Sequence, residues 1–140
     1  MRSVIRLYED MMKEVCKKYR LTSVEVDIIA FLKNHPHKDT AADIVELRML
    51  SKAAVSKGVD ALIQKSLLER NPDTKDRRKI HLKLTQEAKP VMLDIQKIQT
   101  NYGELLFNGF SREEYKEYIR LKERMLANVK TGEERRHDYE

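Results

Sequence analysis

Residues that form tight turns are scarce in this sequence, and one large aromatic residue is absent. It contains four glycines, three prolines and no tryptophan in 140 residues, whereas an all-β fold with many short turns would need more glycine and proline. Charged residues make up 36% of the chain and hydrophobic residues 41%, which indicates a helix-rich surface around a real core. We expect one mainly α-helical domain, or a small domain with an appended element.

Cysteine and long apolar runs are scarce as well. Cys16 is the single cysteine, so no intramolecular disulfide can form, as is usual in a reducing cytoplasm. The longest clearly apolar run, residues 28–32, is far too short to cross a membrane. The N-terminus becomes charged too early for a signal peptide. We therefore expect a soluble cytoplasmic protein with no membrane partner.

Hydroxyl residues followed three positions later by an acid mark three helix starts, at Thr22, Thr40 and Ser111. Ser51 and Thr85 are two further candidate helix caps. Apolar residues at helical spacing complete the pattern. The predicted helices span residues 3–19, 22–34, 41–48, 51–65, about 86–106 and 112–129.

A β-hairpin is predicted between the fourth and fifth helices, with strands near residues 67–70 and at 79–84. The second strand alternates apolar and charged residues, and His81 lies on its charged face. The net charge of the chain is only +5, but residues 73–83 hold five cations against two carboxylates. A hairpin tip gains little stability from stacked cations, so they indicate an outside partner; a solvated turn with ordinary ion pairs is the alternative. The candidate tip residues are Lys75, Asp76, Arg77, Arg78 and Lys79.

A helix, a short helix, a turn, a longer helix and then a basic hairpin form the order of a winged helix-turn-helix. The helix that begins at Ser51 has short or cationic side chains opposite its apolar stripe, so it suits the major groove of DNA. Its N-terminus also suits phosphate. A plain amphipathic helix with a solvated polar face is the alternative. The candidate base-reading residues are Ser51, Lys52, Ala53, Ser56 and Lys57.

The hairpin tip is long enough to reach the neighbouring minor groove, where negative potential favours arginine. Asp76 or Asp73 is expected to hold an arginine side chain in an extended pose by a charge-assisted hydrogen bond.

Several short motifs recur together in a known family. They are the Asp43-Ile44 start, Val55-Ser56 and Val59-Asp60-Ala61-Leu62 in the fourth helix, Leu67-Leu68-Glu69-Arg70, and the wing DTKDRRKIHLKLT. With these motifs, residues 42–92 resemble the MarR family of bacterial transcriptional regulators. The wing is the most specific part, and the flanking helices extend the resemblance from residue 3 to about 130. Asp76, Arg77 and Arg78 fall on the family's acidic-basic wing motif. The resemblance therefore implies that Arg78 enters the minor groove and Asp76 orients it, with Arg77 as the alternative.

The resemblance implies a homodimer whose two recognition helices and two wings bind a pseudo-palindromic operator. Residues 21–85 would form the winged helix-turn-helix, residues 1–20 and 86–131 the dimerisation helices, and residues 132–140 a polar tail. The function implied is sequence-specific transcriptional regulation, with repression as the preferred reading. Two departures concern turn geometry: Ser66 stands where the family often has glycine before the strand, and Ala88 stands where glycine is common after the wing.

A small organic effector is also implied by the resemblance, typically an aromatic phenolate or another organic anion. Cys16 lies late in the first helix, so a packed thiol is favoured over a redox sensor. His35 and His37 flank a proline without a third close ligand, so a solvated turn is favoured over a metal site. No metal or cofactor is expected. The candidate effector-pocket residues, which are equally candidate core residues, are Tyr8, Met11, Met12 and Tyr19.

Three other functional classes are alternatives to DNA-dependent regulation. The sequence has no glycine-rich phosphate loop, no nucleophile elbow and no helical metal-binding pair, so an enzyme is not expected. A winged-helix module that docks on an acidic protein stays open as an alternative. A nucleoid-binding protein without sequence preference stays open too, and it would bind any duplex with a steep dependence on salt.

Overall fold

The structure, a computed structural model, describes residues 1–137. It confirms the predicted class, mainly α-helical with one small hairpin. The last helix continues to His137, so its predicted end at Val129 was too early, and residues 138–140 of the predicted tail lie outside the described residues. The elements are α1 (Arg2–Tyr19), α2 (Ser23–Asn34), α3 (Ala41–Arg48), α4 (Lys52–Gln64), β1 (Leu68–Pro72), β2 (Ile80–Leu84), a 3-10 turn (Gln86–Ala88), α5 (Lys89–Leu106) and α6 (Arg112–His137).

The chain divides into two compact units, Met1–Tyr102 and the segment from Gly103 onward. The first unit contains the whole helix-turn-helix and hairpin together with α1. The functional division into residues 21–85, 1–20 and 86–131 stays a prediction. Within residues 1–137, no helix combines the length and the apolar character needed to cross a membrane.

The predicted capping boxes fix where α2, α3 and α6 begin. The backbone N–H groups of Glu25 and Asp43 donate to the hydroxyls of Thr22 and Thr40, each at 3.2 Å. In α6 the N–H of Glu114 donates to the Ser111 hydroxyl at 3.1 Å. Each acidic side chain accepts in return from the N–H of its cap residue. These starts were readable from sequence because both partners lie within one turn.

The predicted cap at Thr85 was wrong, because its hydroxyl has another partner. The Thr85 hydroxyl donates to the carbonyl of Ser66 at 2.6 Å, and the Thr85 N–H donates to the carbonyl of Leu67 at 3.1 Å. Ser66 has φ +62°, a left-handed conformation in which glycine is favoured. The side chain of Thr85 therefore closes the base of the hairpin at the residue where a serine replaces the usual glycine.

Helix α2 lies at the centre of the first unit. Its side chains at Ile28 and Ile29 are fully buried, and α2 contacts α1, α3, α4 and β2. These four elements together cover the apolar face of α2. Helix α2 is therefore the central element of the hydrophobic core against which the helix-turn-helix packs. The buried apolar residues of α2 are Val26, Ile28, Ile29, Ala30, Phe31 and Leu32.

One ion pair with a buried carboxylate fixes the end of α4 against the junction of α1 and α2. Glu25 is only 2% exposed, and its carboxylate lies 2.6 Å from the Lys65 ammonium. That ammonium also donates to the carbonyl of Arg20 at 3.0 Å. Burial opposes ionisation of Glu25, but the hydrogen bonds from Lys65 and Thr22 outweigh it and hold the pKa of the carboxyl below its usual value.

Helix α6 has a different character from the helices of the first unit. It is 26 residues long, and none of its residues between Arg112 and His137 is buried. A helix of this length with large apolar side chains in solvent is not expected to be stable alone. Its exposed large apolar residues are Tyr115, Tyr118, Leu121, Met125, Leu126 and Val129.

Gly58 allows α4 to approach α2 closely. A Cβ atom at this position would lie 2.6 Å from the Cδ1 atom of Ile28 and 3.2 Å from a methyl carbon of Val24. The first distance is shorter than real carbon contacts allow, and Ile28 has no exposed surface into which to move.

We predict that Gly58→Ala lowers the free energy of unfolding by about 1 kcal/mol, even though alanine favours helix over glycine by a similar amount. Gly132→Ala is the matched control, because nothing lies within 4 Å of a Cβ atom at that position of α6. The control should give no loss, and a gain of up to about 1 kcal/mol. Urea denaturation of both variants would check this, and equal effects of the two changes would contradict the close-packing interpretation.

Candidate nucleic-acid interface

The start of α4 presents small and cationic side chains to solvent. The Ser51 hydroxyl accepts the backbone N–H of Ala54 at 3.1 Å, so the predicted cap is present. The opposite face of the helix is buried through Val55, Gly58, Val59 and Leu62. The predicted base-reading residues are all exposed: Ser51, Lys52, Ala53, Ser56 and Lys57.

Asp60, further along the exposed face of α4, has a partner within the chain. Its carboxylate lies 2.5 Å from the guanidinium of Arg70 on β1. Both side chains are about half exposed, so this ion pair contributes little to stability. It does occupy Arg70, which leaves the cations of the wing loop as the candidates for contact outside the chain.

The wing is an antiparallel pair in which Leu68 pairs with Leu84 and Pro72 with Ile80. Leu82 is buried, whereas Ile80 near the tip is exposed. The apolar face predicted for β2 is therefore buried only where the strand lies over the core. The hairpin begins at Leu68 rather than Leu67 and continues to Pro72, so β1 is longer than predicted at the tip.

Residues 73–79, here called the wing loop, are held by the carboxylate of Asp73. One of its oxygens accepts the backbone N–H groups of Lys75 at 3.0 Å and Asp76 at 2.8 Å. The Asp73 N–H donates to the carbonyl of Lys79 at 2.9 Å and closes the loop. This is the turn chemistry in which aspartate is favoured.

Asp76 was expected to bind the side chain of Arg78, but in the structure it binds the backbone of that residue. The Asp76 carboxylate accepts the backbone N–H of Arg78 at 3.0 Å. Within residues 1–137, neither Arg77 nor Arg78 forms a side-chain ion pair, and both are exposed. The acids of the wing loop therefore order its backbone, while the guanidinium groups remain available. Lys75 and Lys79 are exposed beside them.

His81 connects the wing to the loop before α3, which the sequence did not indicate. Its Nδ1 lies 2.7 Å from the carboxylate of Asp39, and its Nε2 lies 2.8 Å from the carboxylate of Asp73. These bonds raise the pKa of His81 above its ordinary value, with Asp39 as the larger cause. The bond from His81 and those from the loop amides lower the pKa of Asp73 to about 2.

Sequence reasoning missed this contact because Asp39 lies 42 residues before His81. The alternating pattern of β2 placed His81 on a charged, outward face, and nothing local distinguishes a solvated histidine from one between two carboxylates. The one local signal for this contact was the Pro72-Asp73 pair at the start of the wing loop, because it indicated that Asp73 lies in a turn.

A cavity of about 690 Å³ lies between α1, α2 and the end of α3. Two of the four predicted effector-pocket residues, Tyr8 and Met12, line it. Met11 and Tyr19 do not: Met11 packs against the core, and the Tyr19 hydroxyl donates to Asp94 on α5 at 2.6 Å. Further lining residues, not predicted from sequence, include Lys13, Ser23, Asp27 and Arg48.

Asp27 and Arg48 form an ion pair at the wall of this cavity. The carboxylate and guanidinium lie 3.3 Å apart. Burial raises the pKa of Asp27, and Arg48 acts in the opposite direction. Arg48 is the last residue of α3, so the cavity reaches the helix-turn-helix directly.

The residues considered for sensing have ordinary surroundings. Cys16 lines the same cavity, and burial and then the charge of Asp27 raise its pKa, which favours the less reactive thiol. The His35 ring stacks on Phe31 with centroids 4.4 Å apart, and its Nδ1 lies 3.0 Å from the Phe31 carbonyl. His37 is exposed. In the described part of the chain, no three His, Cys, Asp or Glu residues are arranged to hold a metal ion.

The exposed start of α4 beside a basic hairpin defines the winged helix-turn-helix class of protein. Residues 21–79 match the sequence model described as MarR family. This match covers most of the winged helix-turn-helix, and there the chain is similar to the MarR family.

Two curated relatives agree with this match. The chain is 28% identical over 110 residues to the HTH-type transcriptional regulator PecS of Dickeya dadantii, covering 77% of this chain and 66% of that protein. It is 36% identical over 77 residues to the HTH-type transcriptional repressor MdtR of Bacillus subtilis, covering 55% of this chain and 49% of that protein. The matches thus span between about half and two thirds of these relatives, which are named as regulators rather than enzymes.

Solved structures share the fold. A MarR-family transcriptional regulator from Silicibacter pomeroyi superposes with a TM-score of 0.80 at 19% identity, covering 92% of this chain and 86% of the other. The S. aureus MepR protein in a complex with DNA gives a TM-score of 0.60 at 19% identity, covering 91% and 96%. At this identity the likeness concerns the fold alone.

We predict that Asp73→Ala releases the wing loop without unfolding the protein. Two loop amides and His81 lose their acceptor, whereas Asp76→Ala, the matched control, removes one acceptor from one amide. Amide hydrogen exchange by NMR should show faster exchange at Lys75 and Asp76 in the first variant, with α2 unchanged. Unaltered exchange at those amides would contradict the role given to Asp73.

Proposed function

We propose that this protein is a sequence-specific DNA-binding transcriptional regulator, acting as a repressor on a pseudo-palindromic operator. The observation that supports this most directly is the state of the wing loop. Its carboxylates bind backbone amides, and its exposed arginines Arg77 and Arg78 have no ion pair within residues 1–137. Arginine in that condition is suited to the minor groove and its phosphates.

Helix α4 would supply the base-reading surface. Its exposed start carries Lys52 and small residues, and small residues let a helix sit deep in the major groove. The backbone N–H groups at the helix N-terminus favour a phosphate nearby. In this proposal α4 provides sequence preference, and the wing adds affinity and a second, shape-dependent contact.

A homodimer is the proposed assembly. The 26-residue helix α6 exposes six large apolar side chains and buries none between Arg112 and His137. A second copy of the same chain would cover such a face and would also present two reading heads, as a pseudo-palindromic site requires. Sedimentation or light scattering at micromolar concentration would test the assembly, and a monomer at that concentration would contradict it.

The function is tested by fluorescence anisotropy with DNA from upstream of the protein's own gene and a scrambled duplex of equal composition. At physiological salt we expect a preference of about a thousandfold or more for the upstream DNA. Equal, salt-sensitive binding to both duplexes would favour a nucleoid-binding protein. Absence of binding to either would favour a winged-helix module that docks on an acidic protein.

We predict that Arg78→Ala weakens operator binding by about 1–3 kcal/mol, because a minor-groove contact is lost. Arg77→Ala, its neighbour in the same exposed loop, should have the smaller effect. Lys130→Ala, which removes a cation from the exposed surface of α6, is the control for net charge. Melting temperatures should be unchanged in all three. An Arg78 variant with wild-type affinity would refute the assignment.

An organic anion is the proposed effector, and the cavity beside Arg48 is its proposed site. A carboxylate or phenolate bound there would compete with Asp27 for the guanidinium, while Tyr8 and Met12 would contact an aromatic ring. Because Arg48 ends α3, such competition would act directly on the helix-turn-helix.

We predict that salicylate, used as a probe anion, releases the operator and that Arg48→Gln raises the concentration required by about ten- to a hundredfold. The expected loss corresponds to one charge-assisted hydrogen bond, about 1.5–3 kcal/mol. Tyr19→Phe is the control, since Tyr19 does not line the cavity. Release of the operator is measured by anisotropy. If Arg48→Gln and Tyr19→Phe require the same salicylate concentration for release, this cavity is excluded as the site.

A further inference from the structure

His81 lies between two carboxylates from separate segments of the chain. Asp39 precedes the cap of α3, and Asp73 begins the wing loop; their oxygens lie 2.7 and 2.8 Å from Nδ1 and Nε2. The three side chains are between about a quarter and a third exposed, so solvent covers them only in part. Asp39, His81 and Asp73 are here called the wing clamp.

The geometry of the wing clamp determines the protonation state of the imidazole. A carboxylate only accepts hydrogen bonds, so each ring nitrogen must carry a proton to make both bonds at these distances. A neutral imidazole would direct a lone pair at one of the carboxylates. The clamp is therefore complete only when His81 is the imidazolium cation.

Asp73 transmits the clamp to the wing loop. One carboxylate oxygen accepts from His81, and the other accepts from the amides of Lys75 and Asp76. The bond from His81 therefore fixes the orientation of the Asp73 carboxylate, and that carboxylate holds the backbone of the wing loop, which carries Arg77 and Arg78.

Asp39 connects the clamp to the helix-turn-helix. Its carbonyl accepts the N–H of Leu82 at 2.7 Å, so Asp39 contacts two successive residues of β2. The next residue, Thr40, caps α3. The clamp thus joins the segment that starts the helix-turn-helix to the segment that carries the wing arginines.

We propose that His81 is a positioning residue for DNA binding: by holding Asp39 and Asp73 together, its imidazolium sets the wing loop relative to the helix-turn-helix. This inference rests on the proposed DNA-binding function. His81 itself need not contact DNA, and operator affinity becomes dependent on the protonation of one side chain.

The surrounding charges and the sign of the pH effect follow from the structure. Besides the two clamp carboxylates, Lys33 of α2 and Lys83 of β2 line the small cavity beside His81. The pKa of His81 is raised above 6.5 through its bonds to Asp39 and Asp73. The clamp is therefore fully formed below that value and is lost as pH rises through the raised pKa.

The test measures operator affinity from about pH 6 to about pH 9, a range that covers histidine titration. Wild-type affinity should fall toward the alkaline end. His81→Gln should bind about three- to tenfold more weakly at the acidic end and lose most of the pH dependence. His37→Gln, which removes an exposed histidine from the same loop as Asp39, should keep the wild-type profile. A His81→Gln profile that matches the wild type would overturn the proposal.

Asp39→Asn separates positioning from direct phosphate contact. If His81 only supplied positive charge to DNA, removing a neighbouring carboxylate would strengthen binding. The clamp predicts weaker binding, by about three- to tenfold, and a profile shifted to lower pH. Tighter binding by Asp39→Asn would overturn the proposal, and circular dichroism would verify that each variant is folded.

A DNA-free measurement keeps this inference distinct from the proposed function. Amide exchange at Lys75 and Asp76 should be slow in the free wild-type protein below the His81 pKa and fast in His81→Gln. If the protein prefers no duplex at any pH, the proposed function fails. The exchange rates at Lys75 and Asp76 still show in that case whether the clamp forms. Equal exchange in the two proteins would overturn the clamp whether or not DNA binds.

Discussion

The close packing of α4 against α2 at Gly58 determines where the exposed start of α4, the proposed base-reading surface, can lie. A side chain at that position would collide with the fully buried Ile28, so the two helices can approach this closely only with glycine there. At the C-terminal end of α4, the ion pair between Lys65 and the buried Glu25 joins it to the junction of α1 and α2. The exposed start of α4 therefore projects from a helix that is fixed along its length. A base-reading helix needs this rigidity, because hydrogen bonds to bases tolerate little displacement.

The wing has the opposite construction, since it projects beyond the core and is held by polar contacts. Within the wing loop, Asp73 and Asp76 accept backbone N–H groups, so its arginines are not neutralised by their nearest acids. Had those carboxylates paired with the guanidinium groups, a DNA contact would first have required breaking an ion pair. The histidine between Asp39 and Asp73 connects this polar structure to the start of α3. Rigid packing thus positions α4, and hydrogen bonds position the wing.

Sequence patterns predicted features whose partners lie close together in the chain. The capping boxes at Thr22, Thr40 and Ser111 were correct because each pairs residues three positions apart. The helical spacing of the apolar residues in α4 correctly predicted which of its side chains are exposed. Thr85 was misassigned because its hydroxyl partner, Ser66, lies 19 residues earlier across the hairpin. For Tyr8, Met11, Met12 and Tyr19 the sequence left an effector pocket and the core equally open. Only Tyr8 and Met12 line the cavity beside α2, because the neighbouring helices cover the four side chains differently.

The sequence by itself determined the order of elements, the helix starts, the basic hairpin tip and the resemblance to the MarR family. These depend on local periodicity, capping and turn chemistry, which act over a few residues. Only the tertiary structure decided which acids would meet which bases. Asp39 reaches His81 across 42 residues, and Lys65 reaches Glu25 across 40. Asp27 likewise meets Arg48 from another helix. Such pairs depend on how α2, α3 and the hairpin pack in three dimensions, and no pattern within a single helix or strand specifies that packing.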